Sequence, residues 1–216
     1  MFRVDTEIFR SINDLAGQSR WLDALGVFSA KYLIWVMVGI ILAEALVAQQ
    51  KLAAGKPGWL ARLQRLFCRC RPESATARMA VAAVRGALAA GAAYLANFLF
   101  SLAYFRTRPC GVLLKVNNLL HRSCVDKSFP SDHASMAFAL AFSVVFLRPV
   151  LGSALLVLAG FVAWGRVFVG VHYPLDVLAG ALVGLVWALA ARAVESRFNL
   201  TAELRRLWSE LGRGKI

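Results

Sequence analysis

The sequence predicts an all-α integral membrane protein: a bundle of about five transmembrane helices with an interfacial helix at its N-terminus. Three observations carry this. The 216 residues are 59% hydrophobic and only 17% charged, against about 45–50% apolar and about 25% charged in a soluble domain. The mean hydropathy is +0.61. Five apolar runs approach the length of about 20 residues that a helix needs to cross the hydrocarbon. At this chain length one domain, residues 1–216, is the expectation. The spans are helices because an open sheet edge cannot be hydrogen-bonded in lipid.

Residues 7–30 come first. Ile8, Ile12, Leu15, Trp21, Leu22 and Leu25 alternate with Asp14, Arg20 and Asp23, which suits a helix lying in the membrane interface. Residues 1–31 are therefore read as an interfacial segment. Asp5 and Glu7 spoil the basic start of a signal peptide, and no apolar core precedes a cleavage site. The spans follow as Tyr32–Ala48, with Glu44 near its end, then Gly86–Phe105, Ala134–Leu147, Pro149–Trp164 and Leu175–Val194. The third is short unless His133 and its neighbours sit at the interface.

Five spans put the termini on opposite sides. One side collects the basic loop 49–85, Arg148 and the tail 192–216, with 15 Lys and Arg. The other collects 1–31, 106–133 and 165–174, with 10 Lys and Arg and six of the twelve acids. The positive-inside rule assigns the first side to the cytoplasm. It also accounts for the formal charge of +13, so no nucleic-acid partner is inferred; membrane lipids are the expected surroundings.

All three histidines, His121, His133 and His172, fall on the outward side. So do RTRP at 106–109, SFPSDHAS at 128–135 and GRVFVGVHYPLD at 165–176. Three segments next to helix ends thus bring Arg, His, Ser and Asp to one level of the membrane. Ser131 or Asp132 can cap the helix that follows. The same helix start offers free N–H groups to an anion. Arg108 and Arg166 carry planar forks that match phosphate oxygens. His172 and Asp176 are four apart and share a face if a helix begins near Pro174. Aspartate on one ring nitrogen fixes the tautomer and leaves the other free to attack. His133 would be a second imidazole across a bound phosphoryl group. No carboxylate cluster suits magnesium and two lone histidines make no zinc site, so no metal or other cofactor is expected. Cys110 and Cys124 share the outward loop and can pair there; Cys68 and Cys70 on the cytoplasmic side stay reduced.

Together, RP at 108–109, PSDH at 130–133 and R-x5-H-x3-D at 166–176 resemble the three signature motifs of the type 2 phosphatidic acid phosphatase superfamily. SINDLAGQSRWLDAL near the N-terminus resembles its bacitracin-resistance branch of undecaprenyl-diphosphate phosphatases, where PSDH replaces the commoner PSGH. The resemblance implies a helical bundle with its site at the outer face of the bacterial inner membrane. It implies His172 as a nucleophile that becomes a phosphohistidine, Asp176 as its orienting group and His133 as general acid. It implies Arg108, Arg166 and Ser131, with Asp132 beside it at the helix start, as the phosphate-binding set. The implied substrate is an isoprenoid lipid diphosphate; alternatives are phosphatidylglycerophosphate, lipid A phosphate, or binding and transport without turnover. A vanadate-using peroxidase shares the anion site, but its known members are soluble. Two positions depart from the pattern. Ser101 stands where the family has Lys, leaving Arg106 or Lys115 to supply the charge, and Gly165 stands where Ser is common.

Overall fold

The computed structural model describes residues 3–53 and 72–198. Among them the helices are α1 (Arg3–Asn13), α2 (Arg20–Lys31), α3 (Leu33–Ala53), α4 (Pro72–Ala103), α5 (Pro109–Val112), α6 (Asp132–Val145), α7 (Pro149–Phe168) and α8 (Pro174–Phe198). Four of them open on proline, whose fixed φ and missing N–H suit a first helical position. Much of the basic loop and tail, with Cys68 and Cys70, lies outside the described residues.

Among the described residues three helices are long and apolar enough to cross a membrane: Met79–Ala103, Pro149–Phe168 and Pro174–Arg197. Arg20–Lys31 and Leu33–Val47, bent by 57° about residue 32, supply a fourth if they form one span. The chain is therefore a multi-pass membrane protein. The expected count of five meets its difference at α6. Its 14 residues rise only about 21 Å, against a hydrocarbon core of about 30 Å. α6 instead stands inside the bundle, packed on α4, α7 and α8. The expected interfacial stretch divides in two, because Gly17 turns the chain at φ +87° between α1 and α2.

Small residues let α6 sit so deep. Ala134, Ser135, Ala137, Ala139 and Ala141 are buried along it. Gly180 and Gly184 of α8 face it so closely that a Cβ at Gly184 would lie 2.6 Å from the Ser135 carbonyl oxygen and 2.8 Å from the Ala139 nitrogen. Close backbone approach through small residues is how helices gain contact where lipid removes the hydrophobic drive. Larger side chains fill the space beside this seam, with Leu33, Met37, Leu140, Val144, Leu155 and Val162 in one buried cluster. Outward, Leu88, Leu95, Leu102, Val157, Leu182 and Val186 are exposed, as a lipid-facing belt requires.

Chain direction alternates, so α4, α6, α7 and α8 each present one end to the same face. The C-termini of α4 and α7 and the N-termini of α6 and α8 meet there. At the opposite end Arg85 is paired with Glu195 at 2.8 Å and with the Ser143 carbonyl, and Arg148 lies 3.9 Å from Glu44.

Gly184→Val forces a side chain against the α6 backbone. Overpacking of this kind costs about 1–3 kcal/mol, and its thermal midpoint in detergent falls by several degrees. Gly39→Ala, with open space around the position, leaves the midpoint unchanged. Equal midpoints for the two variants would contradict the seam.

Candidate active site

Backbone contacts stitch the three motif-bearing segments together. Thr107 and Lys127 form an isolated antiparallel bridge. The Ser128 N–H donates to the Arg106 carbonyl at 2.7 Å, and the Ser131 N–H donates to the Asp176 carbonyl at 3.0 Å. The Phe129–Pro130 peptide between these contacts is cis. Gly170, at φ +81°, turns the chain from α7 toward His172; a Cβ there would lie 2.6 Å from the Asn117 carbonyl.

His172 is buried. Its Nδ1 lies 2.7 Å from the Ser128 carbonyl oxygen. A carbonyl only accepts, so the ring proton is assigned to Nδ1. That leaves the lone pair on Nε2, which lies 3.3 Å from Arg166 Nη2. Asp176, expected to hold the ring directly, is 3.8 Å from Nδ1, beyond a hydrogen bond. The Ser128 carbonyl fixes the tautomer in its place. Burial and the Arg166 guanidinium push the His172 pKa below its ordinary value, against the opposing pull of Asp176.

Asp176 is fully buried and well supplied with donors. Ser128 Oγ donates to Oδ2 at 2.5 Å and the Tyr173 N–H donates to it at 2.8 Å. Arg106 Nη1 donates to Oδ1 at 2.5 Å. The second guanidinium nitrogen of Arg106 goes to Asp5 of α1, also at 2.5 Å. Of the two cations considered for the missing first-motif lysine, Arg106 is thus spent on carboxylates. Lys115 has its backbone carbonyl bound by Arg10. Ser101 bonds back to the Phe98 carbonyl.

Ser131 occupies the N-cap position of α6, but neither it nor Asp132 caps the helix as expected: no side-chain cap bond forms. The Ser131 hydroxyl is buried without a partner, and so is Arg166 Nε. Asp132 is a poor match for an anion ligand, since its carboxylate already accepts from Lys127 at 3.0 Å and from Asn97 at 3.1 Å. Arg108 is buried, with Nη1 bonded to the Ser123 carbonyl and 3.5 Å from Asp126. The His133 pKa is lowered to about 3, by burial first and then by Arg166, His172, Arg122 and Arg108. Several cations surround one half-buried imidazole, and buried donors stand unsatisfied nearby. That is the electrostatic profile of an anion site. No group of three His, Cys, Asp or Glu among the described residues is placed to hold a metal ion.

Gly165 has a packing reason. A Cβ there would lie 2.8 Å from the Ala30 nitrogen and 2.9 Å from Ser29 Cβ. α2 crosses α7 at this point, and the Ala30 carbonyl accepts from Arg166 at 3.3 Å. Cys110 and Cys124 form a disulfide across the loop between α4 and α6.

Sequence reasoning missed Asp5, Ser128, Asn97, Lys127 and Arg122. Ser128 opens the SFPSDH stretch, so its position was visible. Its carbonyl does the holding, however, and no side-chain pattern reports a carbonyl. Asn97 and Lys127 announce themselves only through Asp132.

An all-helical, multi-pass membrane protein that gathers arginines, histidines and a helix N-terminus at one level is built as a phosphatase of membrane lipids. The sequence profile of the PAP2 superfamily matches residues 82–199, more than half of the chain, and the chain belongs to that superfamily. It is 30% identical over 186 residues to the bacitracin transport permease protein BcrC of Bacillus licheniformis, covering 86% of this chain and 78% of that protein. It is 28% identical over 180 residues to the undecaprenyl-diphosphatase BcrC of Bacillus subtilis, covering 83% and 78%. The crystal structure of Aquifex aeolicus LpxE shares the fold, with a TM-score of 0.60 at 22% identity over 89% of this chain and 96% of that one.

The tautomer is open to direct measurement. In ¹⁵N-labelled protein, His172 carries its proton on Nδ1 and titrates with a midpoint below the usual imidazole value of about 6.5. A midpoint above that value, or a proton on Nε2, would contradict the geometry.

Proposed function

We propose that the chain hydrolyses undecaprenyl diphosphate to undecaprenyl phosphate and inorganic phosphate, by way of a phosphohistidine on His172. The observation that carries this reading is the set of buried, unpartnered donors, Ser131 Oγ and Arg166 Nε, beside a histidine whose tautomer is already fixed for attack. The undecaprenyl-diphosphatase BcrC of Bacillus subtilis, similar over most of both chains, supports the choice of substrate.

His172 Nε2 attacks the terminal phosphorus. The N–P bond forms as the P–O bond to the lipid phosphate breaks. Arg108, Arg166 and Ser131 hold the transferring oxygens, with free N–H groups at the start of α6. Asp132 serves this set at one remove, by anchoring Lys127. His133 gives the departing oxygen its proton. Its ring is neutral in the empty site; a phosphoryl dianion alongside favours the charged form, so substrate and proton arrive together. Water then attacks the phosphohistidine, gives its proton to His133, and the N–P electrons return to Nε2.

The active site faces the outer side of the bacterial inner membrane. The excess of Lys and Arg on the opposite side supports this orientation. So does the Cys110–Cys124 disulfide, which suits an oxidising compartment. A transporter without turnover fits less well. Glu44, Arg85 and Asn97, the polar groups nearest mid-span, each have a local partner in Arg148, Glu195 and Asp132, and form no relay.

Phosphate release from undecaprenyl diphosphate, phosphatidylglycerophosphate, lipid A and phosphatidic acid in one detergent tests the substrate. The diphosphate has the highest kcat/KM; a monoester leading by tenfold would move the assignment to that lipid. His172→Ala loses turnover by as much as on the order of 10⁶, as when one member of a catalytic unit is removed. A variant retaining a tenth of normal activity would sink the mechanism. His133→Ala slows phosphoenzyme formation from a monoester about 10²–10⁴-fold but from the diphosphate much less. A lipid phosphate, with a second pKa of about 6 by analogy with phosphoamino acids, leaves with little help. Equal losses on both substrates would show that His133 is not the acid.

A further inference from the structure

We propose that Asp5, carried to the site by α1, is a positioning residue for phosphoryl transfer: it neutralises Arg106 and so reserves the charge of Asp176 for His172. The proposal rests on the reading of His172 as the nucleophile.

Asp5 is 3% exposed and both of its carboxylate oxygens are engaged. Oδ2 accepts from Arg106 Nη2 at 2.5 Å, and Oδ1 accepts from the Leu175 N–H at 2.9 Å, in the first turn of α8. Arg106 spans the two carboxylates and lies 4.0 Å over the Tyr173 ring. Phe9, one turn along α1 from Asp5, packs against that ring from 5.5 Å. α1 therefore delivers a charge and an aromatic ring from successive turns to the residues flanking His172.

The charge balance gives Asp5 its purpose. Two carboxylates around one guanidinium leave a net charge of −1 beside His172. The Asp176 oxygen that Arg106 does not take, Oδ2, is the one 3.8 Å from His172 Nδ1. When Nε2 bonds to phosphorus and Nδ1 keeps its proton, the ring becomes cationic. The other charged or titratable groups around it, Arg166, Arg108 and His133, offer that cation nothing. Without Asp5, Arg106 and Asp176 cancel each other, and the ring faces no net negative charge. The loss falls on the step in which the ring gains its charge, rather than on substrate binding.

Anchoring α1 does not require Asp5. Asn13 is buried and donates to the Asn117 and Phe168 carbonyls, and Asn117 bonds back to Asn13. Arg10 donates to the Leu114 and Lys115 carbonyls. A buried ion pair is weak evidence for stability in any case.

The test uses full-length protein in detergent and undecaprenyl diphosphate labelled in its terminal phosphate, with rapid base quench at saturating substrate. Asp5→Asn slows phosphoenzyme formation about ten- to a hundredfold, comparable to losing a partner that orients a metal-bound histidine, while KM stays within about threefold by the same reasoning. Arg10→Ala, which loosens α1 at a different anchor, stays within about threefold of wild type. Adding Asp5→Asn to Arg106→Gln brings little further loss, because the two act through one contact. Asp5→Glu keeps the charge and most of the rate, and carries the test if the amide variant does not fold. An Asp5→Asn rate equal to wild type, an Arg10→Ala loss as large as that of Asp5→Asn, full additivity with Arg106→Gln, or an Asp5→Glu loss matching that of Asp5→Asn each overturns the proposal. Wild-type protein that releases phosphate with no labelled histidine overturns the phosphohistidine reading itself, a result seen without any Asp5 variant.

Discussion

The Asp176 carboxylate, buried at the first turn of α8, is the constraint on which the site end of the molecule depends. A charge out of water must be met by donors or it destabilises the fold. Here the donors come from three places in the chain: Arg106 after α4, Ser128 before α6 and the Tyr173 N–H before α8. Satisfying one carboxylate therefore fixes three loops against one another. Once Ser128 is pinned by its hydroxyl, its carbonyl points at His172 Nδ1. The aspartate thus orients the histidine through the serine as much as by its own charge.

The second constraint comes from the bilayer. A polar site must reach the membrane surface while the lipid tail stays in hydrocarbon. A short α6, surrounded by longer helices, meets this requirement. Its N-terminus opens at the level of the site with Ser131 and His133, and its alanine-lined flank lets α4 and α8 close around it. Gly180 and Gly184 hold α8 against α6 within reach of Ser131 and Ser135. Gly165 does the same for α2 against α7 beside Arg166. Glycines at seams next to the site give it precision, since a shift of either helix would move Ser131 or Arg166.

The helical membrane fold was legible because apolar runs report lipid burial directly. His172 and Asp176 were legible because spacing by four is local, and PSDH because it abuts a helix start. The rest depended on contacts between distant segments. Asp5 lies 171 residues before Asp176 in the chain and looks, in sequence, like an ordinary acid on an interfacial helix. Arg106 reads as a free cation until its two carboxylates are seen. Asp132 reads as a cap or phosphate neighbour until Lys127 and Asn97 are found on it. α6 reads as a span because hydropathy cannot distinguish lipid from protein as the apolar surroundings. The departure at Gly165 has its cause in α2, more than 130 residues away.

The central claim is that His172 Nε2 takes the terminal phosphoryl group. It is tested most directly by stopping the wild-type reaction on terminally labelled undecaprenyl diphosphate with base, then mapping the label by mass spectrometry. The account predicts an acid-labile, base-stable phosphate on Nε2 of His172. Label on another residue, or product release with no labelled protein at any time during a single turnover, would contradict it.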